Sequence, residues 1–231
     1  DGYPGYKDHE NDLVAWYKFD GDFTDSSGNG NDLTNVNATI STNTKILGSG
    51  AFNAVHTGGV GKYATGTNDF VHTNNELSIN LWINVDTINT IYPVFNFGDS
   101  MTNNVVRLSI EDSSGYKFRF YIRESITTDE YSPTIVLNNK WYHISWNIIK
   151  DGVNAKWIIY VNGYKEIETA SSTAYYPPSD SAPNIFRIGD DHYNASIANT
   201  NLYLDDFRIY DKALSDFEVK QIYSGYTVSR E

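Results

Sequence analysis

The chain of 231 residues contains no cysteine. This absence excludes disulfide bonds, thiolate metal ligands and cysteine nucleophiles, and it fits a bacterial, algal or viral surface protein better than an animal extracellular module. Long apolar runs are also missing, since none approaches the roughly 20 residues of a membrane-spanning helix. We therefore expect no membrane insertion.

Positive charge is scarce as well. Lys and Arg together number 17 against 29 Asp and Glu, which gives a net charge of −12 and an isoelectric point near 4.7. A surface this negative repels phosphate backbones, so nucleic acid is not expected as a partner. The hydrophobic share of 40% and the charged share of 20% are typical of a globular chain. The length suits one all-β domain.

Short apolar and aromatic runs are separated by clusters of Gly, Asn, Asp and Ser up to about residue 212. Regular runs of strand length with turn signals between them predict an all-β sandwich or barrel. The predicted strands are Leu13–Phe19, Leu77–Val85, Val105–Ile110, Tyr116–Ile122, Trp141–Ile149, Lys156–Val161, Asn184–Ile188 and Leu202–Tyr210.

Three dipeptides predict tight hairpin turns: Ser114-Gly115, Asp151-Gly152 and Asn162-Gly163. Glycine and its neighbours there tolerate the positive φ angles that two-residue hairpin loops require. We expect Lys156–Val161 to pair with Tyr164–Thr169 across the last of these turns.

One short helix is predicted near the C-terminus, as a lid over one end of the sandwich. Ser215 and Glu218 form a capping box, and Gly225 is a natural stop. The expected organisation is an N-terminal extension or linker over residues 1–11, the sandwich over 12–226 and a tail over 227–231. Asn- and Ser/Thr-rich patches are expected to be loops.

Three ordered segments carry a family resemblance: Leu13–Gly21 with Asp25–Asn31, Lys140–Ile144 with Ile159–Gly163, and Leu204–Ser215. Together they resemble the laminin-G-like jelly-roll domains of the concanavalin A-like lectin/glucanase superfamily. The resemblance implies two curved antiparallel sheets with the N- and C-terminal strands adjacent. It leaves function open, because this fold hosts lectins, adhesins, glycoside hydrolases and lyases.

A metal site is predicted from the last strand. Strict alternation places Tyr203, Asp205, Phe207 and Ile209 on one face, which draws Asp205 toward the core. A buried carboxylate needs a cation, a cluster of donors or a proton. The turn over residues 20–31 is dense in oxygen ligands of the mixed kind that calcium prefers.

The resemblance also implies a structural calcium ion that ties the first loop to the last strand. On that basis Asp25 and Asp205 are the expected ligands, with Asp20 and the backbone of Gly28 beside them. The alternative is that Asp25 is an Asx-turn residue and that Asp205 accepts backbone N–H groups.

Catalysis is not expected. Glycoside hydrolases of this fold need a matched pair of carboxylates on one strand, and no such motif is present. Glu166 and Glu168 alternate on one strand and are predicted to form a solvated face, while Asp129-Glu130 falls in an apparent loop. A polysaccharide lyase would need a set such as Arg119, Tyr121 and His143 on adjacent strands.

Two loop clusters have the chemistry of a sugar site, Tyr175-Tyr176 and Asp191-His192-Tyr193. Aromatic faces stack on sugar C–H surfaces and polar groups bond hydroxyls. The alternative is a pair of ordinary loops. We predict a carbohydrate-binding or adhesion module at an extracellular, cell or virion surface. The competing hypotheses are a structural or protein-interaction domain, in which the partner is a protein, and a polysaccharide hydrolase or lyase.

Overall fold

The computed structural model describes residues 10–54, 61–67, 75–88, 92–97, 105–123, 127–152, 154–170, 185–190 and 201–228. These residues form a short 3-10 helix at Glu10–Asp12, fifteen β-strands and one α-helix. The strands are β1 Leu13–Tyr17, β2 Thr34–Val36, β3 Thr39–Ser41, β4 Ala51–Asn53, β5 Tyr63–Thr67, β6 Glu76–Val85, β7 Tyr92–Phe97, β8 Val105–Asp112, β9 Tyr116–Arg123, β10 Thr127–Ile135, β11 Trp141–Asp151, β12 Asn154–Val161, β13 Tyr164–Glu168, β14 Ile185–Ile188 and β15 Leu202–Tyr210; the helix is α1 Asp216–Val228.

The strands form two antiparallel sheets. The eight-stranded sheet has the order β13-β12-β11-β6-β15-β4-β3, with β1 also paired to β15. The seven-stranded sheet has the order β10-β9-β8-β7-β14-β5-β2. The two sheets pack into a jelly-roll sandwich, which confirms the predicted fold class and the adjacency of the first and last strands.

A large apolar core fills the space between the sheets. Alternate residues of β6, β8, β9 and β11 point into it, as period-2 patterning requires. The tryptophans Trp146 and Trp157 meet edge to face there, with ring centroids 5.3 Å apart. The remaining face of each sheet therefore points outward, and the two outward faces differ in what covers them.

The predicted hairpins are confirmed. The turn between β12 and β13 has φ angles of 53° at Asn162 and 75° at Gly163, the left-handed pair that a type I′ turn needs. Ser114 and Gly115 join β8 to β9 with φ angles of 57° and 105°. A further turn with Gly152 at positive φ joins β11 to β12.

Several strands were missed by the sequence patterns. The predicted loop around Asp129-Glu130 is wrong, because these residues lie in β10 and pair with Tyr121 and Phe120 of β9. The short strands β2 to β5 and the strand β7 were also missed. The strands β2 to β5 have only three to five residues each, too few to show a period of their own.

The helix α1 begins with the predicted capping box. The Glu218 N–H donates to Ser215 Oγ at 3.3 Å, and the Ser215 N–H donates to Glu218 Oε2 at 2.6 Å. The predicted stop at Gly225 is wrong, since the helix continues to Val228. With 13 residues, this one helix of the described chain is too short to span a membrane.

A second apolar cluster lies between α1 and the outer face of the eight-stranded sheet. Tyr223 of α1 stacks on Trp82 with centroids 5.7 Å apart, and Val219 and Ile222 are fully buried beside them. The helix thus covers one sheet face rather than one end of the sandwich. Within the described residues, no helix lies over the seven-stranded sheet.

The last strand does not alternate as predicted. Its register against β6 shifts between Asp205 and Arg208, and Asp206 has a φ angle of 50°. This bulge resets the phase, so Phe207 and Ile209 reach the inner core with Leu204. Asp205 is buried, but it is out of phase with Phe207 and lies against the loop over residues 46–47.

Candidate functional site

The outer face of the seven-stranded sheet carries a row of polar and aromatic side chains. They occupy matching register positions on six adjacent strands and alternate with core residues such as Phe95, Leu108 and Phe120. From one side of the sheet to the other, the row is Thr65, Arg187, Asn96, Arg107, Tyr121 and Asp129. The sheet thus presents hydrogen-bonding groups and rings on one surface.

Arg119 contacts four side chains on the half of this face that is formed by β8, β9 and β10. Its Nε donates to Asp129 Oδ2 and its terminal nitrogen to Glu111 Oε2, both at 2.9 Å. Its guanidinium carbon lies 4.9 Å from the ring centroid of Tyr121 and 5.7 Å from that of Tyr131. Both carboxylates therefore serve to fix the guanidinium, which in turn fixes the two rings.

Arg187 lies on the other half of the face, which is formed by β7, β14 and β5. Its guanidinium carbon lies 4.3 Å from the ring centroid of Tyr63, and it forms no ion pair with the described residues. Its Nε is buried and has no hydrogen-bond partner among the described residues, and the same holds for Oδ1 of the neighbouring Asn96, whose side chain is only 2% exposed. Unpaired buried polar atoms are costly, and two of them lie on the paired strands β14 and β7.

His143 does not join this surface. It lies on β11 in the opposite sheet, buried beneath α1, with its ring 5.2 Å from Trp82 and 5.9 Å from Tyr223. Burial and then the charge of Arg208 lower the pKa of His143 to about 3. The possible lyase set of Arg119, Tyr121 and His143 is therefore not assembled: His143 is a neutral, structural side chain.

A pH-dependent loss of stability follows from His143. Because its pKa is lower in the folded state than the usual 6.5, the unfolded chain takes up the proton first as the pH falls. Its contribution is complete above about pH 6.5 and is reduced by about 2 kcal/mol at pH 5. Urea unfolding at pH 7 and pH 5 should show a smaller drop for His143→Gln than for the native chain. Equal drops would contradict this assignment.

The expected metal ligands fall into two separate groups. Asp25 accepts hydrogen bonds from the N–H groups of Trp16, Ser27 and Asn31 at 2.8–3.0 Å, and from Ser27 Oγ at 2.7 Å. It therefore holds the first loop against β1, as an Asx-turn residue does. Gly28 lies in that same turn with a φ angle of 90°.

Asp205 and Asp20 form the second group. Asp205 Oδ2 accepts the N–H groups of Ile46 and Leu47, both at 2.9 Å, while its Oδ1 is buried and has no partner in the described part of the chain. Burial raises the pKa of Asp205 well above its usual range, and the nearby charges of Asp206 and Asp20 raise it further. Asp205 shares no hydrogen-bonding residue with Asp25.

Asp20 is attached to the same loop that holds Asp205. Its Oδ1 accepts the N–H of Ser49 at 2.5 Å and that of Gly50 at 3.3 Å. A Cβ at Gly48 would lie 1.9 Å from this oxygen, so the loop backbone packs directly on the carboxylate. In the described part of the chain, no three His, Asp or Glu side chains converge as a metal site. An ion here would also need backbone carbonyls.

The two loop clusters that were predicted to bind a sugar are not in the described part of the chain. Tyr175, Tyr176, Asp191, His192 and Tyr193 lie outside the described residues.

Glu166 and Glu168 do not form one solvated acidic face. Glu168 pairs with Lys156 and Lys165, whereas Glu166 accepts the hydroxyls of Ser132 and Thr134 on β10. A register shift in β13 separates the directions of the two side chains. Glu166 therefore links the edges of the two sheets.

A laminin G family model, described as the concanavalin A-like lectin/glucanases superfamily, matches residues 57–220, well over half of the chain. No curated protein matches. Among solved structures, domain 4 of AbnA, a GH43 extracellular arabinanase from Geobacillus stearothermophilus, is 20% identical with a TM-score of 0.69. The alignment covers 91% of this chain and 98% of that domain, which was solved in complex with arabinotriose.

Toxin domains show the same likeness. The binding domain of Paraclostridial Mosquitocidal Protein 1 is 19% identical, with a TM-score of 0.69 over 94% of this chain and 53% of that one. The ligand binding domain of botulinum neurotoxin serotype D, in complex with N-acetylneuraminic acid, is 13% identical, with a TM-score of 0.66 over 96% and 52%. The chain thus spans about half of these toxin domains. At such identities the likeness shows the fold alone.

Proposed function

Because the chain belongs to the concanavalin A-like lectin/glucanase superfamily, we propose that it is a non-catalytic carbohydrate-binding module of an extracellular or cell-surface protein. The binding site is the outer face of the seven-stranded sheet. The observation that carries this proposal is the register-matched row from Thr65 to Asp129, where rings and polar groups share one surface.

The chemistry of this face suits a saccharide. Sugars offer C–H surfaces that stack on aromatic rings and hydroxyls that bond planar amides, carboxylates and guanidinium groups. Tyr121 and Tyr131 supply rings whose position is set by Arg119. Arg187 supplies a half-buried guanidinium that lies on the ring of Tyr63. The complexes of AbnA domain 4 with arabinotriose and of the serotype D toxin domain with N-acetylneuraminic acid support sugar binding on this fold.

The same geometry supports a non-catalytic role. Glycosidase chemistry needs one carboxyl group that carries a proton and a second that is free to act as nucleophile or base. On this face Glu111 and Asp129 both contact the guanidinium of Arg119, and Ser109 Oγ donates to Glu111 Oε1 at 2.8 Å. Both acids are thus engaged in positioning their neighbours.

Loss of a ring should weaken glycan binding. We expect Tyr121→Ala to reduce affinity about tenfold, since a stacked ring contributes on the order of 1 kcal/mol beyond its buried area. A glycan array with calcium present would identify a ligand, and affinity electrophoresis would then measure each variant. Tyr164→Ala is the matched control, because Tyr164 is 70% exposed on β13 of the other sheet. Absence of binding to every glycan would overturn the proposed function.

We also propose a structural calcium ion held by Asp205 and Asp20. The residues fit such an ion: Asp205 Oδ1 is a buried oxygen that no described residue contacts by a hydrogen bond, and the charge of Asp20 acts on it. Calcium prefers carboxylate and carbonyl oxygens, and the loop that contacts both side chains could supply the latter. Bound there, the ion would offset two neighbouring negative charges and fix the loop over residues 46–50 on β15.

A further inference from the structure

The arginines of this chain are concentrated on one surface. The sequence contains six, of which Arg230 lies outside the described residues and Arg208 is fully buried. The other four project from the outer face of the seven-stranded sheet, together with Lys117: Arg107, Arg119, Arg123 and Arg187. On a chain with a net charge of −12, this is a local concentration of positive charge.

The described acids on the same face offset only part of that charge. Glu111 contacts both Arg107, at 3.5 Å, and Arg119, at 2.9 Å, and Asp129 contacts Arg119. Arg187 contacts no carboxylate of the described residues, and its cation lies on the ring of Tyr63. A guanidinium that is half-buried, stacked on a ring and not paired is a preorganised site for an anion.

We propose that the saccharide bound at this face is acidic, with carboxylate or sulfate groups that pair with Arg187 and with Arg107, which lies two strands away. This inference rests on the proposed function and adds the charge class of the ligand. Guanidinium groups bind carboxylates and sulfates through two parallel N–H···O bonds, which gives geometric selectivity as well as affinity. Asn96 lies between the two arginines in register, and its side chain is buried.

Two pairs of polymers test whether the ligand is acidic. Within each pair the polysaccharide backbone and the chain length are the same. Polygalacturonate is compared with its fully methyl-esterified form, and dextran sulfate with dextran, by affinity electrophoresis and calorimetry. We expect the acidic member of at least one pair to bind about tenfold more tightly or better, and its binding to weaken as NaCl is raised. Preference within the first pair identifies a carboxylate ligand, and preference within the second identifies a sulfate ligand.

Variants locate the effect. Arg187→Gln should lose about tenfold in affinity for the preferred acidic polymer, and Arg107→Gln should also weaken binding. Lys165→Gln removes the same charge from β13 of the other sheet and should leave affinity unchanged. Thermal melting of each variant confirms that it is folded, so a loss of binding by a folded Arg187→Gln protein supports the assignment.

The negative outcomes separate the two proposals. In one outcome the acidic and neutral members of both pairs bind equally, and the protein binds another glycan on an array. This result would overturn the acidic ligand and leave the carbohydrate-binding function in place. Equal loss in Arg187→Gln and Lys165→Gln would overturn the location at this face. No binding to any polymer or array glycan would overturn both.

Discussion

Replacement of Asp206 by Asn is expected to lower the free energy of unfolding by about 3–5 kcal/mol. Asp206 is 2% exposed, and its Oδ1 accepts the indole N–H of Trp16 at 2.6 Å and the Nε–H of Arg208 at 2.9 Å. Arg208 is fully buried, with its guanidinium carbon 4.8 Å from the Trp16 ring centroid. Removing one charge of a buried pair leaves the other without compensation, which costs far more than the pair contributes.

Asn is the informative substitution at this position. Asp206 has a φ angle of 50°, a conformation that Asn tolerates, and the amide oxygen can still accept the Trp16 indole N–H. The measured loss then reports the charge rather than the backbone. Chemical denaturation checks it. Glu168→Gln, in the exposed pair with Lys165, is the control and should stay within experimental error of the native chain. An Asp206→Asn protein as stable as the native chain would contradict the argument.

The hairpin turns and the start of the helix, which depend on neighbouring residues in the sequence, were predicted correctly. The turn at Asn162-Gly163 needs two residues with positive φ, and the capping box needs Ser215 and Glu218 three residues apart. Both requirements are visible in a few adjacent letters. The family segments fixed the fold in the same way, because each combines a core strand with its turn.

The phase of β15 could not be predicted in this way. Strict alternation would place Asp205 and Phe207 on one face, but the bulge at Asp206 separates them. The positive φ of Asp206 is stabilised by Trp16, which lies 190 positions earlier in the sequence, and by Arg208. A local pattern contains no information about such a partner. The same limit explains β10, whose polar sequence becomes a strand only by pairing with β9.

The candidate binding face was only partly visible in the sequence. Arg119 and Tyr121 alternate with core phenylalanines on β9, and Arg107 alternates with Val106 and Leu108 on β8. Of these residues, the sequence analysis named only Arg119 and Tyr121, and it named them as parts of a possible lyase set. The meeting of Arg187 with Asn96 depends on β14 pairing with β7, which joins segments about 90 residues apart. That juxtaposition belongs to the topology and not to any motif.

The second large effect concerns calcium. We expect calcium at about 100 times its dissociation constant to raise the free energy of unfolding by about 2.7 kcal/mol, because an ion that binds only the folded state stabilises it by mass action. The physical reason is that two acids, Asp205 and Asp20, contact the loop over residues 46–50. Asp205 is fully buried, and the charge of Asp20 acts on it. Thermal melting with calcium and with chelator measures the difference, and calorimetry measures the binding itself.

Two Asp-to-Asn variants distinguish the possible sites. Asp205→Asn keeps an oxygen that can accept the N–H groups of Ile46 and Leu47 but removes the charge, so it should abolish the calcium-dependent rise in melting temperature. Asp25→Asn should retain that rise, because the Asp25 carboxylate is already engaged by four donors of its own turn and of β1. If Asp25→Asn abolished the rise and Asp205→Asn did not, the ion would belong to the first loop. If neither calorimetry nor melting of the native chain responded to calcium, the orphaned oxygen of Asp205 would carry a proton instead of facing a cation.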